Sequence, residues 1–306
     1  MGRRLDKSIR TLVESSVART PDKPLFLFKN QRVTYAEVLD SMNRIANGFL
    51  DLGVKKGDKV AILLPNCLEF PYCWLAANMI GAVMVPVNNR FVADEAKYIL
   101  NHSEAKVLVT SNGFRDMIAG IRSDLPSVKR IVNIDHDGAE GDVPYRALLE
   151  HPSVLPPVDI QEDDLAVLLY TSGTTGNPKG CMASHYYFVN LAHIEAELFA
   201  LTSEDRVFTA QPFYYMDPQW NTLMVLTRNA TLAFAERFST SKFWDEVRQY
   251  GITCFYCIGS MTSFLFNMPP SDLDKKHNLR LVQTSGMPQR MHEAWEKRFN
   301  VPGYEV

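Results

Sequence analysis

The feature that most constrains the fold of this chain is a repeated alternation between short apolar runs and longer amphipathic segments. The short runs are rich in β-branched and aliphatic residues, and many are separated by segments of roughly 10 to 18 residues with helical apolar spacing. Such alternation predicts an α/β fold with two mostly parallel sheets layered with helices. The predicted strands cover residues 59–64, 83–86, 106–110, 130–134, 165–171, 206–210, 231–235, 253–257 and 279–284.

The charge and cysteine content of the chain limit its possible binding partners and its cellular location. Against 35 acidic residues stand 32 Lys and Arg, so the formal net charge is −3, and we expect no nucleic-acid partner. The longest apolar stretch, residues 72–87, is interrupted by Asn78, Gly81 and Pro86 and is too short for a membrane span. Five cysteines do not form an even disulfide framework, which favours a reducing, cytoplasmic location.

Local signals place helix ends and a division of the chain. Thr34 and Glu37 form a capping-box pattern, and Ser184 and Ser239 are start signals for later helices. The alternation of apolar runs and amphipathic segments is absent around residues 135–142, and several prolines follow. We therefore expect one α/β subdomain over residues 1–160 and a second over 161–306. The chain stops inside a predicted strand that begins near residue 304, so we expect it to be a piece of a longer protein.

The segment with the clearest chemistry runs from Thr171 to Gly180. All its side chains are hydroxyl, Gly, Asn, Pro or Lys. Glycines let backbone N–H groups approach a ligand, hydroxyls add donors, and Lys179 supplies charge, which together suit a polyphosphate. Pro178 before Lys179 excludes a Walker loop. We expect this segment to connect the strand 165–169 to the helix that Ser184 caps.

This segment resembles the signature loop of the adenylate-forming superfamily, which activates carboxylic acids with ATP. Further stretches resemble the same superfamily in its usual order: 34–38, 57–61, 81–88, 98–100, 212–215 and 285–288. The likeness is greatest to acyl-CoA ligases of the carnitine/crotonobetaine type. The resemblance implies the large N-terminal domain of such an enzyme without the small C-terminal domain, which in the family carries the catalytic lysine.

The resemblance also implies site residues. The triphosphate of ATP would be held by Lys179 and the preceding loop residues, Thr171, Ser172, Gly173, Thr174, Thr175 and Gly176, with Thr171 touching Mg²⁺. The adenine would lie beside a turn formed by Ser285, Gly286, Met287 and Pro288. Glu305 and Val306 would lead into the family's metal-binding segment. ATP, Mg²⁺ and CoA are the implied ligands, with a small carboxylic acid as substrate.

The acyl pocket implied by the resemblance contains Tyr215, Asp217, Trp220, Ile258 and Gly259. Tyr215 stands where the family commonly has a histidine, and tyrosine cannot become cationic near neutral pH. Asp217 has two open interpretations. It either faces the acyl pocket and recognises a polar or cationic group, or it is a solvated or helix-capping carboxylate.

Several alternatives remain open at the level of sequence. The chain could load a carrier protein instead of CoA, although Tyr214 follows Phe213 where amino-acid-selecting members usually have Asp. It could also be a nucleotide-binding or acyl-AMP-binding module without turnover. The identity of the acid is not readable, and a homodimer is an expectation without a motif. Cys254 and Cys257 form a C-x-x-C string inside a predicted strand, so we expect their side chains on opposite faces, buried in packing.

Overall fold

Two seven-stranded sheets organise the part of the chain that the computed structural model describes, which is residues 6–135, 141–171 and 177–305. The strands are β1 (Pro24–Phe28), β2 (Gln31–Thr34), β3 (Lys59–Ile62), β4 (Val83–Pro86), β5 (Ala105–Thr110), β6 (Arg130–Asn133), β7 (Val143–Pro144), β8 (Leu165–Thr171), β9 (Lys179–Ser184), β10 (Arg206–Thr209), β11 (Thr231–Phe234), β12 (Cys254–Ile258), β13 (Leu281–Ser285) and β14 (Gly303–Glu305). The helices are α1 (Ile9–Arg19), α2 (Tyr35–Asp51), α3 (Glu69–Met79), α4 (Ala93–His102), α5 (Arg115–Ile121), α6 (Tyr145–Leu148), α7 (His185–Leu198), α8 (Met216–Arg228), α9 (Thr240–Tyr250), α10 (Gly259–Phe266) and α11 (His292–Phe299).

The sheets are mostly parallel. The N-terminal sheet has the order β7-β6-β5-β3-β4-β8-β9, and the C-terminal sheet has the order β14-β13-β12-β10-β11-β1-β2. Antiparallel pairing occurs at one edge of each, between β8 and β9 and between β1 and β2. The predicted α/β architecture is confirmed. The division near residue 160 stays a prediction; strands from both sides of that position contribute to both sheets.

All nine predicted strands have a counterpart in the structure. A further strand, which was not predicted, begins at the end of the Thr171–Gly180 segment, called the polyphosphate-type loop below. Residues 179–184 form β9, which pairs antiparallel with β8 before α7 begins. The loop therefore joins the two strands of a hairpin. The helix capped by Ser184 is present as predicted, but the strand β9 that lies between the loop and this helix was not predicted. Residues Lys179–Ser184 lack the alternating apolar pattern that predicts a strand. They form a strand because their backbone pairs with β8.

Helix starts follow the predicted signals. Thr34 and Glu37 form the capping box, in which the Thr34 N–H donates to the Glu37 carboxylate at 2.7 Å and the Glu37 N–H donates to Thr34 Oγ1 at 3.2 Å. Ser184 caps α7, since its Oγ accepts from the Tyr187 N–H at 3.2 Å. Ser239 occupies the residue before α9 without a capping side-chain bond.

Three apolar clusters fill the space between sheets and helices. Cys254 and Cys257 are both fully buried, yet they belong to different clusters on opposite faces of β12. The predicted packing role is thus confirmed. None of the helices in the described residues is long and apolar enough to cross a membrane.

Candidate active site

The carboxyl ends of four neighbouring parallel strands of the C-terminal sheet meet at one edge. The order is β14, β13, β12 and β10, and the register pairs Ile258 with Ser285 and Thr284 with Glu305. The loops that follow these strands therefore lie side by side. Ligands of open α/β sheets bind outside the carboxyl ends of the strands. The structure thus brings the predicted turn 285–288, Gly259 and the segment around Tyr215 to one place, which we call the carboxyl edge.

Two glycines allow the backbones to approach at this edge. A Cβ built on Gly259 would lie 1.8 Å from the carbonyl oxygen of Gly286, a distance that no side chain can occupy. Gly286 has φ +89°, in the region that favours glycine. Any larger residue at position 259 would push the turn after β13 away from the start of α10.

Glu305, on the neighbouring strand β14, accepts hydrogen bonds from the backbone of the turn that follows β13. Its carboxylate accepts the N–H of Met287 at 3.1 Å and also the N–H of Gly286. A carboxylate that accepts two backbone N–H groups fixes the orientation of the turn. Met287 is buried, whereas Ser285 and Glu305 are exposed, and the Ser285 side chain makes a hydrogen bond with Tyr256. Pro288 follows and precedes a short 3₁₀ turn, Gln289–Met291.

The predicted acyl-pocket residues separate into exposed and buried members. Tyr215 immediately precedes α8 and is 50% exposed, and Ile258 is 41% exposed at the end of β12. Trp220 is buried and its ring meets that of Tyr256 edge to face, with 5.1 Å between the centroids. Gly259 is buried beneath the turn. The exposed pair can contact a ligand directly, while Trp220 packs against the rings of Phe199 and Tyr256.

Asp217 lies one helical turn before Trp220, half-buried on α8. Gln211 Nε2 donates to Asp217 Oδ2 at 3.0 Å. Burial raises the pKa of Asp217 above its usual range, and hydrogen bonds from Trp220 and Gln211 only partly oppose that rise. This burial argues against a fully solvated carboxylate. Asp217 lies in the first turn of α8, so a helix-capping role and a place facing the acyl pocket both stay open.

Sequence reasoning missed Glu195, a half-buried carboxylate on α7. Gln283 of β13 donates to Glu195 Oε2 at 3.1 Å. Burial raises the pKa of Glu195, the Gln283 bond opposes the rise, and the negative charge of Asp217 adds to it. The available signal was an acidic residue between Ala192 and Ala196 on the packed side of an apolar helix.

Thr171 and Lys179 lie at the mouth of the β8–β9 hairpin. Their Cα atoms are register partners, and both side chains are exposed. Two contacts with α4 hold the strand ends next to this mouth. Tyr98 donates to the Pro178 carbonyl at 3.1 Å, and Tyr170 Oη lies 2.7 Å from His102 Nδ1. Five of the predicted phosphate-binding residues, Ser172, Gly173, Thr174, Thr175 and Gly176, lie outside the described residues, as does Val306.

Asn66 links the two sheets behind the site, and sequence reasoning also missed it. It follows β3 and is 4% exposed. Its Nδ2 donates to the carbonyls of Gln211 and Ala235, both at 2.9 Å, and its Oδ1 accepts from the Phe213 N–H at 2.9 Å. Three side-chain hydrogen bonds thus join Asn66 to the segments that follow β10 and β11, and they fix the loop that leads to Tyr215.

Comparison with known proteins gives a single consistent result. The model of a family described as AMP-binding enzyme matches residues 13–305. The crotonobetaine/carnitine–CoA ligase of Escherichia coli O1:K1 / APEC is 36% identical over 281 residues, which is 88% of this chain and 54% of that protein. The enzyme of the same name from Salmonella typhimurium is 33% identical over 293 residues, covering 92% of this chain and 56% of that protein. The chain spans about half the length of these curated relatives.

Solved structures agree on the fold. An inhibitor-bound N-terminal domain of FACL13 from Mycobacterium tuberculosis superposes with a TM-score of 0.90 at 26% identity, covering 98% of this chain and 75% of that one. An anthranilate CoA ligase, AuaEII, in complex with anthranoyl-AMP also superposes with a TM-score of 0.90, at 22% identity, covering 98% of this chain and 60% of that one. The second likeness concerns the fold alone.

Proposed function

Because the chain belongs to the AMP-binding enzyme family, we propose that it binds ATP and a carboxylic acid and joins them as an acyl adenylate. The observation that carries this proposal is the hairpin mouth, where Lys179 lies opposite Thr171 at the ends of a loop made of hydroxyl residues and glycines. Such a loop offers the dense donors and the positive charge that a triphosphate requires. Ser172 to Gly176 are proposed to contribute the remaining donors.

The carboxyl edge is proposed to hold the other half of the ligand. The turn formed by Ser285, Gly286, Met287 and Pro288 would lie against the adenine, and Tyr215 and Ile258 would contact the acyl group. The close Gly259–Gly286 approach supports this assignment because it sets the turn at a fixed height above the sheet. Glu305 orients the turn and is a positioning residue.

Chemically, the acid is already ionised at neutral pH, so its carboxylate attacks the α-phosphorus of ATP without needing a base. The new acyl–phosphate bond forms as the bond to pyrophosphate breaks, and pyrophosphate leaves with its electron pair. The protein must therefore supply positioning and charge neutralisation, not proton transfer. Lys179 would contribute by attracting the negative charge that accumulates on the departing phosphates.

Magnesium fits this arrangement as an ion bound largely through nucleotide phosphates. Among the described residues, no group of three or more His, Cys, Asp or Glu side chains is arranged so that it could hold a metal ion by itself. Mg²⁺ bound to a nucleotide usually takes few protein ligands, so the exposed Thr171 hydroxyl is a fitting single donor. When bound, the ion would neutralise charge on the phosphates.

We propose CoA as the acceptor of the acyl group in the intact enzyme, because both curated relatives are named CoA ligases. A thiol attacks the acyl carbon of the adenylate and AMP leaves. A carrier-protein thiol would be chemically equivalent, and a homodimer and a cytoplasmic location stay expectations.

The binding half of the proposal is tested by calorimetry of MgATP and of a non-hydrolysable acyl-AMP mimic. We expect Lys179→Ala to weaken MgATP binding at least tenfold, about 1.4 kcal/mol, but to weaken the mimic less than about threefold, since the mimic lacks β- and γ-phosphates. Lys275→Ala, at another exposed lysine, is the control. Equal losses for both ligands would contradict the assigned role of Lys179.

The reaction itself is tested by product analysis. On incubation with MgATP and a panel of carboxylic acids, we expect residues 1–306 to form pyrophosphate and acyl-AMP slowly or below detection, because the resemblance implies that the family's catalytic lysine lies outside these residues. No ADP should be released, and rapid turnover would contradict the role given to that lysine. Release of ADP and orthophosphate in place of pyrophosphate would show a different reaction and would overturn the proposed adenylation.

A further inference from the structure

Three aromatic side chains lie together beside the mouth of the β8–β9 hairpin, two from α4 and one from β8. Tyr98 and His102 are four residues apart on α4, so they lie on the same face of this helix, one turn apart. Their rings stack, with 5.3 Å between the centroids and 28° between the planes. The ring of Tyr170, near the end of β8, meets that of His102 edge to face at 5.6 Å. We call these three residues the tyrosine–histidine cluster.

The cluster joins both strands of the hairpin to α4. On the β9 side, the Tyr98 hydroxyl donates to the carbonyl of Pro178, the residue before Lys179, at 3.1 Å. On the β8 side, the hydroxyl of Tyr170, the residue before Thr171, lies 2.7 Å from Nδ1 of the α4 histidine. Burial raises the pKa of Tyr170 to about 12, so at neutral pH its hydroxyl is protonated and can donate to this nitrogen. One turn of α4 therefore holds the chain immediately before each of the two residues that face each other across the mouth.

Gly180 leaves room for this arrangement. It is the register partner of Tyr170 across the hairpin. A Cβ built on Gly180 would lie 3.3 Å from Tyr170 Cζ and 3.0 Å from Leu168 Cδ1, so either neighbour would have to move to accept it. The Cζ atom carries the hydroxyl that meets His102. The absence of a side chain at position 180 therefore allows the Tyr170 ring to lie close to β9 while its hydroxyl reaches α4.

We propose that the tyrosine–histidine cluster positions the triphosphate of ATP, because it fixes Lys179 opposite Thr171 before the nucleotide arrives. This inference rests on the proposed function, since it assigns the residues that set the geometry of the same mouth. The bonds of the cluster go to the hairpin backbone and between its own members, so its residues act through Lys179 and are positioning residues. A binding loop whose ends are already held loses less conformational entropy when the ligand binds. Breaking the cluster should therefore weaken the binding of ligands that carry β- and γ-phosphates.

The test measures, by calorimetry on the whole chain, the binding of MgATP and of the non-hydrolysable acyl-AMP mimic. Tyr98→Phe keeps the ring and removes the bond to Pro178, and we expect MgATP to bind about fivefold more weakly. His102→Ala removes the stacking and the bond to Tyr170, and we expect MgATP to bind about tenfold more weakly. The mimic lacks β- and γ-phosphates, so its affinity should change less than about twofold in both variants. Equal losses for the two ligands would overturn the inference, since they would show a general disturbance of the fold.

A conservative variant and two controls assign the effect to the bond. His102→Asn retains an acceptor near the place of Nδ1, so MgATP affinity should return to within about threefold of the wild-type value. An affinity as low as that of His102→Ala would overturn the role given to the bond with Tyr170. The matched controls are Tyr186→Phe, at an exposed tyrosine just beyond the other end of β9, and His151→Ala, at a partly exposed histidine after α6. Both should leave the affinities unchanged, and melting temperatures confirm that each variant is folded.

A double-mutant cycle shows whether the cluster acts through Lys179. In a chain that already carries Lys179→Ala, the further change His102→Ala should weaken MgATP binding by less than about twofold, because the side chain that the cluster positions is absent. Such a coupling between residues that both affect MgATP binding supports positioning. The full tenfold loss in the Lys179→Ala background would overturn it.

The outcomes separate this inference from the proposed function. If Lys179→Ala weakens MgATP binding while Tyr98→Phe and His102→Ala leave it unchanged, positioning by the cluster is overturned and the proposed function stands. If the chain releases ADP and orthophosphate in place of pyrophosphate, the proposed adenylation fails. A loss of MgATP affinity that depends on both His102 and Lys179 would still support positioning in that case, because it is measured by binding and not by turnover.

Discussion

Partly buried carboxylates lie at both ends of the strands of the C-terminal sheet, but their hydrogen-bond partners differ. At the amino edge, three residues immediately precede three neighbouring strands: Asp205 before β10, Thr253 before β12 and Arg280 before β13. Arg280 donates to both oxygens of Asp205 at 2.8 Å, and Thr253 Oγ1 donates to it at 2.7 Å. At the carboxyl edge, Asp217 and Glu195 have amide partners but no ion pair with a described residue.

Electrostatics follow this difference in partners. Burial opposes ionisation of Asp205, yet hydrogen bonds from Arg280, Thr253 and Thr202 together outweigh it and lower its pKa to about 2. For Asp217, burial is the stronger effect, and the pKa rises. A carboxylate satisfied within the fold stabilises the fold, whereas one left without a cation is available to a ligand. The amino edge therefore contributes to the stability of the sheet, and the carboxyl edge is the proposed place of binding.

The largest expected effect is at the backbone contact of the carboxyl edge. Gly259→Ala forces a Cβ onto the Gly286 carbonyl, so we expect a loss of about 3 kcal/mol or more in the free energy of unfolding, measured in urea. Gly120→Ala is the control, because Gly120 lies in α5 with open space around it and should gain about 0.5 to 1 kcal/mol. Similar stability for both variants would contradict the close approach.

At the amino edge, Asp205→Asn should cost about 2 kcal/mol of stability, because it leaves Arg280 without its charge partner. The exposed pair of Asp40 and Arg44 provides the comparison, and Asp40→Asn should change stability by about 0.5 kcal/mol or less. Urea unfolding of both variants measures the difference. A loss for Asp205→Asn no larger than that for Asp40→Asn would remove the distinction between a structural and a surface carboxylate.

The same network predicts how stability depends on pH. The pKa of Asp205 is about 2 in the folded chain and near its ordinary value of 3.8 when unfolded. Its contribution is therefore fully present above about pH 4 and is lost as the pH falls toward 2. Urea midpoints measured across this range should fall less steeply in Asp205→Asn than in the wild-type chain. Parallel pH profiles would contradict the lowered pKa.

The smallest expected change in stability is at Asp217, and its direction is opposite to that expected for Asp205. Asp217→Asn removes a desolvated charge while its side-chain oxygen can still accept from Gln211, so we expect a change of about 1 kcal/mol or less, in the stabilising direction. The thermal midpoint measures it. Destabilisation as large as that of Asp205→Asn would mean that Asp217 is also a structural carboxylate.

Sequence patterns predicted most of the fold because burial imposes periodicity on strands and helices. The nine predicted strands, the Thr34 capping box and the opposite faces of Cys254 and Cys257 are all local consequences of that periodicity. The strand β9 was missed because its sequence, Lys-Gly-Cys-Met-Ala-Ser, alternates weakly and is held by pairing with β8.

Residues that matter through tertiary register could not be predicted. Asp205, Thr253 and Arg280 are far apart in sequence and meet because three parallel strands begin at the same level. Glu195 reaches Gln283 because α7 packs over β13, and Asn66 reaches β10 and β11 from the other sheet. By contrast, the polyphosphate-type loop was recognisable because its donors are contiguous in the chain.

A crystal structure of the chain with Mg²⁺ and a non-hydrolysable ATP analogue tests the central claim most directly. We predict the triphosphate at the hairpin mouth, within hydrogen-bonding distance of Lys179, and the adenine beside the turn at residues 285–288. A nucleotide bound elsewhere, with the hairpin mouth and the carboxyl edge both open to solvent, would contradict the account.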